Sequence, residues 1–282
     1  MKFLDPLLIA LLDLLTAHYY RLTFSRYRLD EAKSSNFIVS MTSYPARIKH
    51  AWLSIESLFR QEDRNFKLVL VLAENQFPNR RVPRSIGRLR NKGLEILWVS
   101  RDGGSFDHLW PVYEKYPEST IISVDDDKFF SPNLVGKLRA ASLNFPSTII
   151  GWRGWQMRTC DGELTFGRGW LRATKKTPSE HLFMPPGNGS LYPPGSLPLE
   201  TGDYVVREKI CPNADDVWYW ALAHLGGTKS LCLGLPNHRS VWQQNGAPSL
   251  ASIQPGPKEF QQVIDHFELR ESVSKSLTEA AI

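Results

Sequence analysis

The sequence has little cysteine: three residues in 282, at positions 160, 211 and 232, with no CxxC pair among them. That excludes zinc ribbons and thioredoxin-like dithiol chemistry, and it is the usage expected of a reducing compartment. No GxGxxG follows the first strand-like run, no GxxxxGK[ST] occurs, and there is no GxSxG elbow. Dinucleotide-binding, P-loop and hydrolase readings therefore lose their motifs. Basic residues form no run. The 34 basic and 29 acidic side chains are scattered and leave a net charge of +5, which suits a nucleotide or an acidic membrane surface. No nucleic-acid partner is expected.

Long hydrophobic runs are missing too. FLDPLLIALLDLLTAHYYRL puts Leu4, Leu7, Leu8, Leu11, Leu12 and Leu15 at helical spacing, but Asp5 and Asp13 interrupt it. The run falls short of the roughly 20 apolar residues a spanning helix needs. A signal peptide is not expected either, given Asp5 and the lack of a small-residue cleavage site. Two readings stand: a helix packed on the domain, or one lying in a membrane interface with Tyr19, Tyr20, Arg21, Arg26 and Arg28 at headgroup level.

What is present is a chain 42% hydrophobic with 9 Trp and 14 Phe, enough to bury a core. From residue 36 strands and helices alternate. Strands are predicted at 36–41, 66–73, 94–100, 120–124 and 147–152, with helices at 51–61, 82–92, 106–116 (broken or kinked by Pro111) and 131–145 (Ser131 as N-cap, Pro132 at the first helical position). This alternation predicts an α/β fold with a mostly parallel sheet and helices on both faces. Residues 153–212 are rich in Gly, Pro and Trp and lose the pattern. A helix at 214–225, a strand at 229–235, a Gly/Pro/Ser-rich linker at 243–258 and a short helix at 258–270 follow.

The stretch IISVDDDKFFSP sets three aspartates directly after an apolar strand. Ligands on such sheets bind beyond the carboxyl ends of the strands, so the aspartates belong to the expected active edge rather than an anonymous turn. Asp125 and Asp127 have the i, i+2 spacing to share one hard divalent cation, Mn²⁺ or Mg²⁺. Asp215 and Asp216 open the 214–225 helix, where acidic residues either complement the helix dipole or serve as a general base kept ionised by it. MTSYPARI (41–48) is a strand-end loop with hydroxyls, an aromatic face and Arg47. His238, in PNHRS, is a candidate third metal ligand, although a lone histidine is more often structural.

Taken in order, IVSMTSYPARI, FPN (77–79), KYPESTIISVDDD, GNGSLYPPGSL and ADDVWYWAL resemble bacterial, family-2-like glycosyltransferases of the GT-A fold that build cell-surface polysaccharides. The resemblance covers roughly residues 36–235. It implies a metal-dependent, inverting enzyme moving a sugar from a UDP- or GDP-sugar to a glycan or lipid-linked acceptor. Asp125 and Asp127 match the DxD metal–diphosphate motif. Thr42, Ser43, Tyr44 and Arg47, with Asp125 and Asp126, match the nucleotide-facing positions. Asp216, with Asp215 as runner-up, matches the base. One departure is visible: near GGSFDHLW (103–110), where the family pattern often has a Lys, this chain has Asp107 and His108, which bears on donor identity.

The expected organisation is an N-terminal amphipathic helix and linker (1–35), a GT-A-like catalytic domain (36–242), and a Gly/Pro-rich linker with a C-terminal helix (243–282). The expected location is the cytoplasm, at the inner face of the membrane if the first helix is interfacial. Two other readings compete: a metal-dependent nucleotidyltransferase on a similar sheet, and a non-catalytic glycan-assembly scaffold. The first would favour a glycine-rich phosphate loop after the first strand, and MTSYPARI has no glycine. The second has no need of unpaired carboxylate clusters.

Overall fold

The computed structural model describes residues 6–24, 26–29, 35–160, 163–174, 177–198, 203–241 and 256–279. The chain forms α1 (Pro6–Thr23), β1 (Phe37–Thr42), α2 (Ile48–Phe59), β2 (Lys67–Ala73), α3 (Arg84–Arg90), β3 (Leu94–Val99) and α4 (Trp110–Lys115). Next come β4 (Thr120–Val124), β5 (Lys128–Phe129), α5 (Leu134–Asn144), β6 (Ile149–Gly151), β7 (Trp155–Gln156), β8 (Leu171–Arg172), β9 (Leu182–Phe183) and β10 (Asn188–Tyr192). The remainder is α6 (Tyr204–Ile210), α7 (Asp215–Leu225), β11 (Ser230–Cys232), β12 (Arg239–Ser240), α8 (Gly256–His266) and α9 (Leu269–Glu279).

Seven strands form the central sheet in the order β11-β6-β10-β4-β1-β2-β3. Six point one way, and β10 alone runs antiparallel, between β4 and β6. The apolar runs are continuous because both faces are covered. In β2, Val69 and Val71 point to one cluster, while Leu68, Leu70 and Leu72 point to the other. Helices α2, α3 and α5 cover the face of Leu70, and α4, α7, α8 and α9 cover the face of Val69. A small sheet, β8-β7-β9, occupies the region that loses its pattern in sequence.

Several expectations shift. Helix α5 starts at Leu134 with Asn133 in the N-cap position, so Ser131 does not cap it; Ser131 instead donates its N–H to His238 Nδ1 at 3.3 Å. Pro111 does not kink a helix: it lies in the first turn of α4, where its missing N–H costs nothing. Ahead of it Gly104–His108 form a 3₁₀ turn. The expected linker at 243–258 falls largely outside the described residues, as does Leu4.

Helix α1 is inverted relative to an ordinary surface helix. Its inward side carries polar groups beside the core residues Ala17 and Tyr20: Asp13 is fully buried and ion-paired with Arg239, which also donates to Thr16 Oγ1 at 2.7 Å. Thr23 accepts from Arg60 at 2.8 Å. The leucines point out. Of twelve exposed large hydrophobic side chains among the described residues, seven lie on α1, namely Leu8, Leu11, Leu12, Leu14, Leu15, Tyr19 and Leu22. No helix of the described residues is long and apolar enough to cross a membrane.

Candidate active site

Because β1 and β4 are neighbours, the loops leaving their carboxyl ends lie side by side. Ser43 Oγ donates to Asp126 Oδ2 at 2.5 Å, and Arg47 reaches Asp126 at 3.0 Å and Asp127 at 2.5 Å. The backbone of the aspartate turn is fastened from below by α2: Ser54 Oγ donates to the Asp126 carbonyl at 2.7 Å and accepts from Lys128 N at 3.0 Å. On the other side β10 begins, and Asp125 N donates to the Gly187 carbonyl at 2.9 Å. Residue 187 must be glycine at this approach, since a Cβ there would collide with the Asp125 carboxylate.

The 3₁₀ turn brings in His108. Gly104 takes a positive φ of 64°, Asp102 accepts from its N–H at 3.0 Å, and Asp107 accepts from Gly103 N at 2.9 Å. The His108 ring is 3% exposed, and its two nitrogens face two carboxylates: Nδ1 is 3.7 Å from Asp125 and Nε2 is 3.0 Å from Asp215. Burial alone would lower the imidazole, but Asp215 and Asp125 outweigh it and lift it to about 9. It is an imidazolium at neutral pH.

Asp215 and Asp216 start α7. Beneath them Glu259 of α8 accepts from Asn213 N, Asn213 Nδ2 and Ala214 N at 2.9, 3.0 and 2.7 Å, tying the end of the chain to the N-terminus of the acidic helix. Asp216 accepts from Val217 N at 2.9 Å. The helix N-terminus does not keep it strongly ionised as the sequence suggested. Burial, and then the Asp215 carboxylate, push it up to about 7. Burial likewise raises Asp126 to about 6, with Arg47 and Ser43 opposing. Asp125 is held well below the usual carboxylate range, because Lys128 and His108 overcome its burial.

Two cavities meet here. One, of about 370 Å³, is lined by Thr42, Ser43, Tyr44, Arg47, Asp125 and Asp126, among others. The second, of about 520 Å³, holds Asp215 and Asp216 together with the Pro185–Asn188 loop. They share His108, Asp125 and Asn213. Asp127 lines neither and turns to Arg47 and Lys128. His238 is sandwiched instead, stacked on Trp152 at 4.7 Å and edge-on to Phe130 at 5.0 Å.

The sequence points to Asp125 and Asp127 as ligands for a divalent ion, and their oxygens have the right hardness. As arranged, they do not fit one. The Lys128 ammonium contacts Asp125 Oδ2 and stands 3.0 Å from Asp127 Oδ1, while Arg47 takes the other Asp127 oxygen. Among the described residues no group of three or more His, Cys, Asp or Glu side chains is set to hold a metal. Sequence reading passed over Lys128, Asn213 and Glu259 altogether, and noticed His108 only as a departure from a pattern.

Neither a protein-family model nor a curated protein sequence matches the chain. Among solved structures, S. aureus TarS 1–349 in complex with UDP-GlcNAc superposes with a TM-score of 0.53 at 15% identity, over 83% of this chain and 65% of that one. TarS 1–349 with UDP gives 0.47 at 15% identity, over 72% and 59%. GalNAc-T7 with UDP, GalNAc and Mn²⁺ gives 0.47 at 12%, over 81% and 47%. The chain thus spans less than two thirds of the TarS fragment. The likeness to the UDP-GlcNAc-bound fragment defines the fold: a mixed, mostly parallel seven-stranded sheet flanked by helices, of the GT-A-like glycosyltransferase type.

Proposed function

We propose that this chain is a glycosyltransferase that moves a sugar from a UDP- or GDP-sugar to a glycan or lipid-linked acceptor with inversion, in the synthesis of a bacterial surface polysaccharide. The observation that carries the reading is the junction of two cavities at the carboxyl edge of the sheet, with Asp125 and His108 at the seam and the acidic pair in the second. A fold shared with a UDP-GlcNAc-bound protein supports the donor class.

In this reading the nucleoside diphosphate lies in the first cavity against Ser43, Tyr44 and Arg47, with its sugar at the seam. An acceptor hydroxyl in the second cavity attacks the anomeric carbon and gives its proton to Asp216. The bond to the diphosphate oxygen breaks, and the electron pair leaves with the nucleoside diphosphate. A carboxylate near 7 suits a base at neutral pH, since it is substantially ionised yet still basic. The His108 imidazolium lines both cavities, so its positive charge lies beside the seam where negative charge develops. Asp215 holds that imidazolium. Because the side chains present do not fit a divalent ion, no step is assigned to one.

The partner at α1 is an anionic lipid surface. Its leucine face is exposed while its polar face is fixed to the domain, and the exposed Arg21, Arg26, Arg28 and Lys49 supply the complementary charge. This supports a location at the inner face of the membrane, where a lipid-linked acceptor would be met.

The test is a panel of UDP- and GDP-sugars scored by thermal shift and by slow release of nucleoside diphosphate. One donor should stabilise the protein and be hydrolysed. Asp216→Asn should keep donor binding and lose transfer by on the order of 10²–10⁴-fold. Release of pyrophosphate would indicate nucleotidyl transfer instead, and no binding or hydrolysis at all would leave a scaffold.

A further inference from the structure

We propose that the Lys128 ammonium takes the place of a divalent cation between Asp125 and Asp127, so that the site receives its donor without a metal. The inference rests on the nucleotide-sugar reading for its ligand, but not for its geometry.

The aspartate spacing that the sequence assigns to a metal is real: both carboxylates reach one cation. That cation is covalently part of the chain. Lys128 sits on β5, whose partner β12 follows directly after His238, the residue expected as third ligand. The lysine side chain is 15% exposed. Its backbone N–H is held by Ser54 Oγ at 3.0 Å, and the next residues, Phe129 and Phe130, are buried. The backbone from which the side chain reaches both carboxylates is thus fixed. The lysine ammonium bridges one oxygen of each carboxylate, the position a shared cation would take.

The carboxylates are already engaged. Asp125, Asp126 and Asp127 meet Arg47 and Lys128, while His108 is shared between Asp125 at 3.7 Å and Asp215 at 3.0 Å. A hard dication shared by Asp125 and Asp127 needs oxygens from both, and here Asp125 Oδ2 and both Asp127 oxygens are committed to the N–H donors of Lys128 and Arg47. Neutralising those carboxylates before a diphosphate arrives is a service often left to a metal. Lys128 acts through Asp125 and Asp127 as a positioning residue, since it lines neither cavity.

The experiment uses the full chain as wild type, Lys128→Gln and Lys128→Arg. Mn²⁺ alone is titrated and its free signal followed by electron paramagnetic resonance. UDP and GDP are then titrated by calorimetry in EDTA and in Mn²⁺. Wild type and Lys128→Arg should bind no Mn²⁺ at this site, and their nucleotide affinity should be the same in both conditions. Lys128→Gln, with the ammonium removed, should gain Mn²⁺ affinity by about tenfold or more, because deleting one charge at contact distance changes the attraction for a dication by at least that factor. Its nucleotide binding should become EDTA-sensitive. A lysine of merely structural importance would not create a metal site when removed. Wild-type nucleotide binding that vanishes in EDTA overturns the proposal, as does a folded Lys128→Gln that gains no Mn²⁺. If Lys128→Gln does not fold, wild-type and Lys128→Arg binding in EDTA decide alone. Absence of nucleotide binding in every condition instead refutes the donor reading, and the Mn²⁺ titration still tests Lys128.

Discussion

Raising the pH should unfasten the seam between the two cavities at His108. Its imidazole moves from 6.5 to about 9 on folding, with burial opposing and Asp215 and Asp125 driving the change. A group whose folded value is raised contributes stability that is complete below the unfolded value and is lost as pH climbs through the folded one. The window therefore runs from about 6.5 to about 9. At about 1.4 kcal/mol per tenfold change the linkage is about 3 kcal/mol, and with the ring 3% exposed it needs no discount for solvent screening. Most of it is present at pH 7 and almost none at pH 10. The assay is urea unfolding of wild type and His108→Gln between pH 6 and 10. Asp126 and Glu56 also titrate on folding but are common to both proteins, whereas Asp216 and Asp107 are themselves lowered by His108, so the difference reports the imidazole together with the carboxylates it faces. Wild type should lose about 3 kcal/mol relative to the variant across this range. Two curves that stay parallel would show that the carboxylates do not hold a proton on His108.

Glu259→Ala leaves three donors at the start of α7 without their acceptor, which should cost about 3–5 kcal/mol and lower the melting temperature by about 10 °C, read by calorimetry. Exchanging Leu11, Leu14 and Leu15 for Gln should leave melting unchanged while abolishing sedimentation with anionic liposomes. A shift in oligomeric state on size exclusion would indicate a second copy of the chain on that face instead.

Much of this was legible in the sequence because buried parallel strands announce themselves. The strand at 120–124 falls where the apolar run ends, and the runs at 66–73 and 94–100 are off by a residue at one end. Strand β10 was hidden because Asn188, Gly189 and Ser190 have poor strand propensity and sit among prolines; its place in the sheet comes from pairing on both edges, a tertiary effect. The carboxylates were legible as types at a strand end and a helix start. Their partners were not. Lys128 follows the aspartates directly, yet sequence does not say which way a side chain turns after a tight bend, and Glu259 acts from more than forty residues beyond the helix start it caps.

The reversed strand between β4 and β6 also sets an order of assembly. Strands β1 to β4 lie side by side and are joined by short crossovers, so they can pair as soon as residue 124 is made. β6 cannot follow them, because its neighbours are β10 and β11, both later in the chain. It must wait as an unpaired apolar segment, the slow and aggregation-exposed phase typical of long-range pairing. The acidic helix lies between those two partners in the chain, and the Glu259 cap comes after both. On refolding, far-UV circular dichroism should therefore recover well before donor hydrolysis, since the second cavity is built from β10, α7 and α8 and closes after the first strands have paired.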